Sequence, residues 1–93
     1  MIIKILGAGC EKCERLEKHA GEVVSELGLD ATVEEIRDAR KIAEYHVLAT
    51  PGLVIDEELV CSGRDLTKRE VTQFIINALD KEERVKNRQI ESA

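Results

Sequence analysis

The chain has 93 residues, of which 43% are hydrophobic and 35% are charged, and its formal net charge is −5. This length fits one domain, and the composition is that of a folded globule rather than a disordered segment. The acidic balance excludes the nucleic-acid-binding proteins that depend on clustered Lys and Arg. No run approaches the ~20 apolar residues of a membrane-spanning helix, and the N-terminus lacks the pattern of a signal peptide. We therefore expect a cytoplasmic protein.

The first third of the chain predicts a strand, a helix and a second strand. Residues 2–6 are a short, mostly β-branched apolar run, typical of a strand that is covered on both faces. After a glycine-rich break, apolar residues recur every three or four positions from Cys13 to Leu27, which predicts an amphipathic helix. Residues 31–36 alternate imperfectly and predict a weaker edge strand. A β-α-β unit of this kind implies two parallel strands joined by a right-handed crossover.

The remainder of the chain predicts a helix, a hairpin and a final helix. Asp38 is a candidate N-cap for a short second helix. Apolar residues at 53–55 and 59–61 flank an acidic turn, which is the pattern of a β-hairpin. The segment from Thr67 to Glu70 has the sequence of a capping box at the start of the last helix.

These elements predict an α/β fold in the order β-α-β-α-β-β-α. The expected architecture is a four-stranded mixed sheet with helices on both faces. We place the domain at residues 1–80 and a charged C-terminal extension at residues 81–93, because the helical apolar pattern gives way to charged residues there.

Two closely spaced cysteines, Cys10 and Cys13, stand at the predicted start of the first helix. Unpaired backbone N–H groups and the positive end of the helix dipole favour a thiolate at Cys10, with a small contribution from Lys12 and an opposing one from Glu11. Cys13 lies one turn later at the head of the apolar stripe, so we expect it to be shielded. We predict that Cys10 attacks a disulfide and that Cys13 resolves the mixed disulfide.

The same two cysteines are compatible with metal binding. Tetrahedral zinc takes four ligands, and a second Cys pair or a His pair is missing, since Cys61, His19 and His46 are scattered along the chain. A soft-metal chaperone that binds copper or zinc through Cys10 and Cys13 remains the alternative function. A thiol switch that associates through the charged extension is a third possibility. The redox interpretation is preferred, and it requires no metal and no cofactor.

Two segments resemble the thioredoxin superfamily, and more narrowly the small thioredoxin- and glutaredoxin-like redox-active disulfide proteins of archaea and bacteria. One is the run from Gly7 to Cys13, and the other is Ala49-Thr50-Pro51-Gly52, which opens a predicted strand. The resemblance covers roughly residues 1–80 and implies a minimal thioredoxin-like fold with thiol–disulfide oxidoreductase activity. It further implies a protein disulfide as substrate, and an upstream reductase or a low-molecular-weight thiol as electron donor.

The resemblance also assigns residues to the site. Pro51 matches the family's cis-proline, which faces the dithiol. Thr50 would pair through its backbone with an extended substrate strand, and Gly9 is counted with these two residues as substrate-binding. The sequence departs from thioredoxins where Gly9 replaces a Trp and Glu11-Lys12 replaces a Gly-Pro pair. Lys4 falls near the position at which thioredoxins bury an acid.

Overall fold

The computed structural model describes the backbone of residues 1–7 and 9–91 and the side chains of residues 1–7 and 9–82. Within that part of the chain, four strands and three helices follow one another in the predicted order. The elements are β1 (Ile2–Leu6), α1 (Glu11–Glu26), β2 (Thr32–Ile36), α2 (Ala39–Glu44), β3 (Gly52–Ile55), β4 (Glu58–Ser62) and α3 (Lys68–Glu91).

The four strands form one mixed sheet in the order β2-β1-β3-β4. β1 and β2 are parallel, as the β-α-β order predicts, whereas β3 runs antiparallel to both β1 and β4. Leu6, the last residue of β1, lies opposite Gly52, the first residue of β3. The sheet therefore brings the segment that follows β1 close to the segment that precedes β3.

The main core lies between the sheet and the two long helices. Ile3 and Ile5 point from the central strand β1 toward α1 and α3, and neither side chain is exposed. Burying each aliphatic side chain of this size contributes about 1.5–3 kcal/mol. Both are packed among buried aliphatic residues of the helices, of β3 and of the segment before α3, namely Leu16, Ala20, Val23, Leu53, Ile55, Leu66, Val71 and Ile75.

The opposite face of the sheet is covered by the segment around α2. A Cβ built on Gly52 would meet side-chain atoms of Leu6 and Val47 at 3.2 Å, so Val47 lies over this face just after α2. Lys4 reaches the same side and donates a hydrogen bond to the Tyr45 hydroxyl at 3.0 Å. α2 itself has no fully buried residue, so this second layer is thin. The predicted arrangement, with helices on both faces, is confirmed.

α3 begins at the predicted capping box. The backbone N–H of Glu70 donates to the Thr67 hydroxyl at 3.2 Å, and the Glu70 carboxylate accepts from the backbone N–H of Thr67 at 3.1 Å. Leu66 and Val71 are both buried on either side of this cap, in the positions of a hydrophobic staple. These reciprocal bonds satisfy two backbone groups that a helix start leaves unpaired.

α3 continues to Glu91 and so runs through the proposed boundary after residue 80. Of the charged extension, the structure describes the backbone to Glu91 and the side chains of Lys81 and Glu82, whereas residues 92–93 lie outside the described part. Among the described residues, no helix combines the length and the apolar character that crossing a bilayer requires.

Candidate active site

Cys10 is the N-cap of α1. Its backbone is extended, with φ −86° and ψ 158°, and its carbonyl accepts the first helical hydrogen bond, from Glu14 N–H at 3.0 Å. Its Sγ accepts the backbone N–H of Cys13 at 3.2 Å, so the sulfur occupies the place that a Ser or Asp oxygen takes at other helix starts. Gly9, directly before it, has φ +68°, a conformation that glycine adopts without a steric penalty.

Cys10 and Cys13 are joined by a disulfide, with their Cα atoms 5.1 Å apart. Cys13 is 1% exposed and begins the buried stripe of α1, whereas Cys10 is half-buried. Cys10, at the helix terminus, is therefore the more accessible of the two cysteines, and Cys13 lies against the core.

Gly7 lies at the end of β1, directly against the disulfide. The residue is buried, and its N–H donates to the Ile36 carbonyl at 2.9 Å, which extends the β1–β2 pairing by one residue. A Cβ built on Gly7 would collide with Cys13 Sγ and would lie 3.8 Å from Thr50 Cβ. Cys13 and Thr50 therefore both lie close to the backbone of Gly7.

Pro51 directly precedes β3 and follows Thr50, which lies near Gly7. The Thr50–Pro51 peptide bond is cis, as the resemblance implies, and Pro51 is buried while Thr50 is exposed. The Pro51 carbonyl accepts the N–H of Gly63 at 2.8 Å. Gly63 has φ +72°, and a Cβ there would come within 2.9 Å of the Ala49 Cβ, so a glycine lets the β4–α3 loop pack against the Pro51 segment.

An ion pair joins the start of α1 to the β4–α3 loop. Arg15 contacts Asp65 through two nitrogens, at 3.2 and 2.8 Å, in the fork geometry that suits guanidinium and carboxylate. Hydrogen bonding to Arg15 lowers the pKa of Asp65, and the charges of Lys12 and His19 act in the same direction. Asp65 is therefore ionised and engaged within the domain.

Glu11 and Lys12 lie between the two cysteines in sequence, in the first turn of α1. Both side chains are exposed. The Glu11 carboxylate stands 3.9 Å from Arg15, one turn later on the same helix, which is a long contact between solvated groups. The structure places these two residues on the rim of the site, so any effect on Cys10 acts through their charge.

Two carboxyl groups, Glu17 and Glu35, share a hydrogen bond between α1 and β2. This bond, followed by partial burial, raises the pKa of Glu17 above its usual range. The guanidinium of Arg37, 2.7 Å from Glu35, and the bond with Glu17 lower the pKa of Glu35. Glu17 lies one helical turn after Cys13, so a protonatable carboxyl group borders the buried cysteine along α1.

Lys4, near the position of the family's buried acid, forms a hydrogen-bonded cluster with Tyr45 and Glu57 in which each side chain contacts the other two. Its ammonium contacts the carboxylate of Glu57 at 2.5 Å and the hydroxyl of Tyr45 at 3.0 Å, and Tyr45 donates to Glu57 at 3.0 Å. Hydrogen bonding to Glu57, and then to Tyr45, raises the pKa of Lys4 above its usual range. The lysine is therefore a charged group that links β1 to the hairpin turn and the end of α2.

Among the side chains that the structure describes, no three His, Cys, Asp or Glu residues are grouped so as to hold a metal ion. Cys61, the third cysteine, is unpaired, half-buried and packed against the core from β4. His46 is exposed at the end of α2.

Comparison with known proteins places this geometry in a family. Residues 1–76 match the family model described as a thioredoxin domain. The chain belongs to the thioredoxin family. It is 44% identical over 75 residues to a thioredoxin of Methanothermobacter thermautotrophicus, an alignment that covers 81% of this chain and 97% of that protein. It is 32% identical over 80 residues to a thioredoxin of Methanocaldococcus jannaschii, covering 86% and 92% of the two chains.

Membership of this family, together with the Cys10–Cys13 disulfide, identifies a thiol–disulfide oxidoreductase and does not favour the metal-chaperone alternative. Family members in general act on protein disulfides and receive their electrons from a reductase. The structure brings together Cys10, Cys13 and the Thr50–Pro51 segment among the expected site residues.

Sequence reasoning missed two features of the site. Gly7 belongs to the glycine-rich break and to the segment that carries the resemblance, but its close approach to Cys13 was not predicted, although a glycine between a buried strand and a reactive pair is a signal that another group approaches the backbone closely. The ion pair of Arg15 with Asp65 left no signal, because its members are 50 residues apart in the chain.

Proposed function

We propose that the protein reduces protein disulfides through a dithiol in which Cys10 is the nucleophile and Cys13 is the resolving thiol. The proposal depends on one observation, the difference in exposure between the two cysteine residues at the start of α1. Only an accessible sulfur can meet a disulfide on another protein, and only a sulfur next to it can displace that protein again.

The reaction begins from the reduced protein. The thiolate of Cys10 attacks one sulfur of the substrate disulfide, forms a mixed disulfide and expels the other substrate sulfur as a thiolate. Cys13 loses its proton and attacks Cys10 Sγ, which releases the second substrate thiolate and forms the Cys10–Cys13 disulfide. The substrate gains two electrons and leaves as two thiolates, and the protein loses two electrons and the one proton of Cys13, which passes to solvent or to a released thiolate.

The helix terminus favours the first step. The N–H of Cys13, which donates to Cys10 Sγ in the disulfide form, is available to the same sulfur as a thiolate. A charge at a helix N-terminus is stabilised by about 0.3–1 kcal/mol on exposed surfaces and by up to about 2 kcal/mol when partly buried. Lys12 supports this charge and Glu11 opposes it.

Substrate binding is proposed for the segment around Pro51. Thr50 is exposed beside the buried cysteine, so its backbone is available to an extended strand of the substrate. The absence of a side chain on Gly9 leaves the approach to Cys10 open.

The remaining assignments concern the cellular setting. We propose a protein disulfide as the substrate and an upstream reductase or a low-molecular-weight thiol as the electron donor, with the cytoplasm as the site of action. The catalytic domain is proposed to comprise residues 1–80, with residues 81–93 as an extension that the chemistry does not require.

Serine variants of the two cysteines test the assignment of roles. In an insulin-reduction assay we expect Cys10→Ser to lose turnover completely, because no accessible nucleophile remains. We expect Cys13→Ser to accumulate a mixed disulfide with the substrate through Cys10, detectable by mass spectrometry under non-reducing conditions.

Cys61→Ser is the matched control, because it removes a thiol outside the proposed pair, and we expect it to retain wild-type turnover. The roles would be reversed if the mixed disulfide accumulated through Cys13 in the Cys10→Ser variant. A wild-type protein that forms the internal disulfide yet never reduces insulin would contradict protein disulfides as the substrate class.

A further inference from the structure

An open groove of about 700 Å³ lies between β4 and α3. Its floor is apolar and is formed by half-buried side chains of both elements. The aliphatic and aromatic lining residues are Ile55, Leu59, Val60, Phe74 and Ala78.

The groove lies at the end of the sheet away from the dithiol. Ile55, which lines it, is paired with Ile3 in the register of β1 and β3, whereas Gly7 beside the disulfide follows the other end of β1. Four residues of β-strand span about 13 Å. A molecule bound in the groove therefore leaves the Cys10 sulfur accessible.

The helical wall of the groove lies mostly outside the part of the chain that matches the thioredoxin domain. That match ends at residue 76, whereas Asn77, Ala78, Lys81 and Glu82 all line the groove. Cys10, Cys13 and the Thr50–Pro51 segment lie in the matched part, so these four groove residues are not part of the proposed redox site.

The rim of the groove is acidic. Asp56, Glu58 and Glu82 contribute three carboxylates, and Lys81 contributes one ammonium, which is held by Glu58 at 2.8 Å. Among the lining side chains that the structure describes, the carboxylates therefore exceed the ammonium groups by two. A partner with basic residues beside apolar ones would match both the rim and the floor.

The edge strand β4, which forms one wall of the groove, is poorly suited to pair with a further β-strand. The pairing of β3 and β4 shifts between Leu53 and Val54, so that Val60 is an extra residue on β4. A bulge of this kind bends an edge strand and interrupts a regular row of backbone groups, which hinders strand addition. A bound helix would not pair with the backbone of β4, because it would contact only the apolar floor and the charged rim.

We propose that this groove binds an amphipathic, basic helix of a partner protein and thereby attaches the oxidoreductase to that partner while the dithiol remains free. The apolar face of the helix packs between Val60 and Ala78, and its Lys or Arg residues lie along Asp56 and Glu82. This role is additional to disulfide reduction and does not depend on the assignment of Cys10 and Cys13.

Synthetic helical peptides test the proposal on the full-length, oxidised protein. The probe is a peptide of about 14 residues with Leu at i, i+3, i+4 and i+7 and with Lys at the other positions. Its controls are a scrambled peptide of the same composition and an analogue with Glu in place of Lys. By NMR titration we expect saturable shifts for the basic helix, confined to the amides of residues 55–62 and 74–82.

Variants of α3 establish the site of binding. Ala78→Arg fills the floor, and we expect it to weaken binding by about tenfold or more. Ile76→Arg, on the same helix but outside the groove, is its matched control and should bind like the wild type. Glu82→Lys alters only an exposed rim residue, so it can test the proposal even if Ala78→Arg unfolds. We expect Glu82→Lys to weaken binding of the basic peptide about threefold. Glu34→Lys on β2 makes the same change in net charge away from the groove and is its control.

The proposal is overturned if the basic helix gives no saturable shifts, or if its shifts lie outside the groove. It is equally overturned if the three peptides bind alike or if Glu82→Lys has no effect beyond that of Glu34→Lys. Sedimentation that shows a dimer broken by Ala78→Arg and not by Ile76→Arg would identify a second copy of this chain as the occupant instead.

Discussion

The lack of a side chain at Gly7 allows the close packing of the redox site. Its backbone continues the β1–β2 pairing on one side and contacts Cys13 and Thr50 on the other. The disulfide and the Pro51 segment can approach each other only because no side chain occupies the space between them.

We expect Gly7→Ala to destabilise the oxidised protein by about 1–3 kcal/mol, because the added methyl group collides with a buried sulfur that cannot move without displacing α1. Gly21→Ala is the matched control. Gly21 lies in the interior of α1 with nothing within 4 Å of a Cβ, so the substitution should stabilise the protein by about 0.5–1 kcal/mol. Chemical denaturation of both variants measures these changes, and equal stabilities would contradict the account of Gly7.

The positions of the two cysteines could be predicted because their chemistry depends on local sequence. A helix start, a spacing of three residues and an apolar stripe are all readable from neighbours in the chain. The approach of Cys13 and Thr50 to Gly7 depends on strands that meet only in the folded sheet. Family resemblance predicted that Pro51 faces the dithiol, whereas neither resemblance nor spacing predicted the role of Gly7.

The β3–β4 hairpin is held to β1 by the side chains of its turn. Asp56 and Glu57 have φ +47° and +69°, which is the type I′ arrangement that glycine and asparagine favour. Asp56 accepts the N–H of Ile2 at 2.8 Å, and Glu57 contacts Lys4. The turn therefore carries residues with less favourable backbone preferences, and their side chains are engaged in tertiary contacts.

Glu57→Gln should make stability less dependent on pH in the acidic range. Hydrogen bonds to Lys4 and then to Tyr45 lower the pKa of Glu57, so its carboxylate stabilises the folded state above the unfolded pKa of about 4.3. That contribution is lost as the pH falls through the lower folded pKa. We expect the wild type to be more stable than Glu57→Gln at neutral pH, with a difference that disappears on acidification.

Urea unfolding at a series of pH values measures this difference. Glu34→Gln, an exposed substitution on β2, is the control and should follow the wild type throughout. A gap between wild type and Glu57→Gln that persists below the folded pKa of Glu57 would show that the charge of Glu57 does not contribute through Lys4.

The order of the elements was predictable because each has its own signal. The capping box of Thr67 and Glu70 and the aliphatic runs of the strands are local patterns, and the structure confirms them. The partners of Lys4 were not predictable, because Tyr45 and Glu57 are 41 and 53 residues away. The sequence also left open whether the charged segment after residue 80 is helical, since its apolar residues are too sparse to define a face.

The domain as a whole has two ends with different tasks. The dithiol lies where β1 ends and β3 begins, and the acidic groove lies where β3 ends and β4 begins. α3 contributes Val71 and Ile75 to the core through its first half and continues beyond it for several turns. Chemistry and the proposed attachment are thus separated along a single sheet.

A chain that ends after Asp80 should fold and reduce insulin at close to the wild-type rate. Among the side chains that the structure describes, Leu79 is the last residue of α3 packed against the core, and the described ion pair that the truncation removes, Lys81 with Glu58, joins exposed groups. Thermal unfolding and turnover measure the two properties. Loss of cooperative unfolding would place the boundary of the domain later than residue 80.

The proposed roles of Cys10 and Cys13 have a consequence for damage by peroxide. Under this proposal, a peroxide that reaches the reduced protein meets Cys10 first and converts it to a sulfenic acid. Cys13 then displaces water from that sulfur and restores the disulfide, which an electron donor can reduce again. The arrangement that releases a substrate thus also intercepts the first step of irreversible sulfur oxidation.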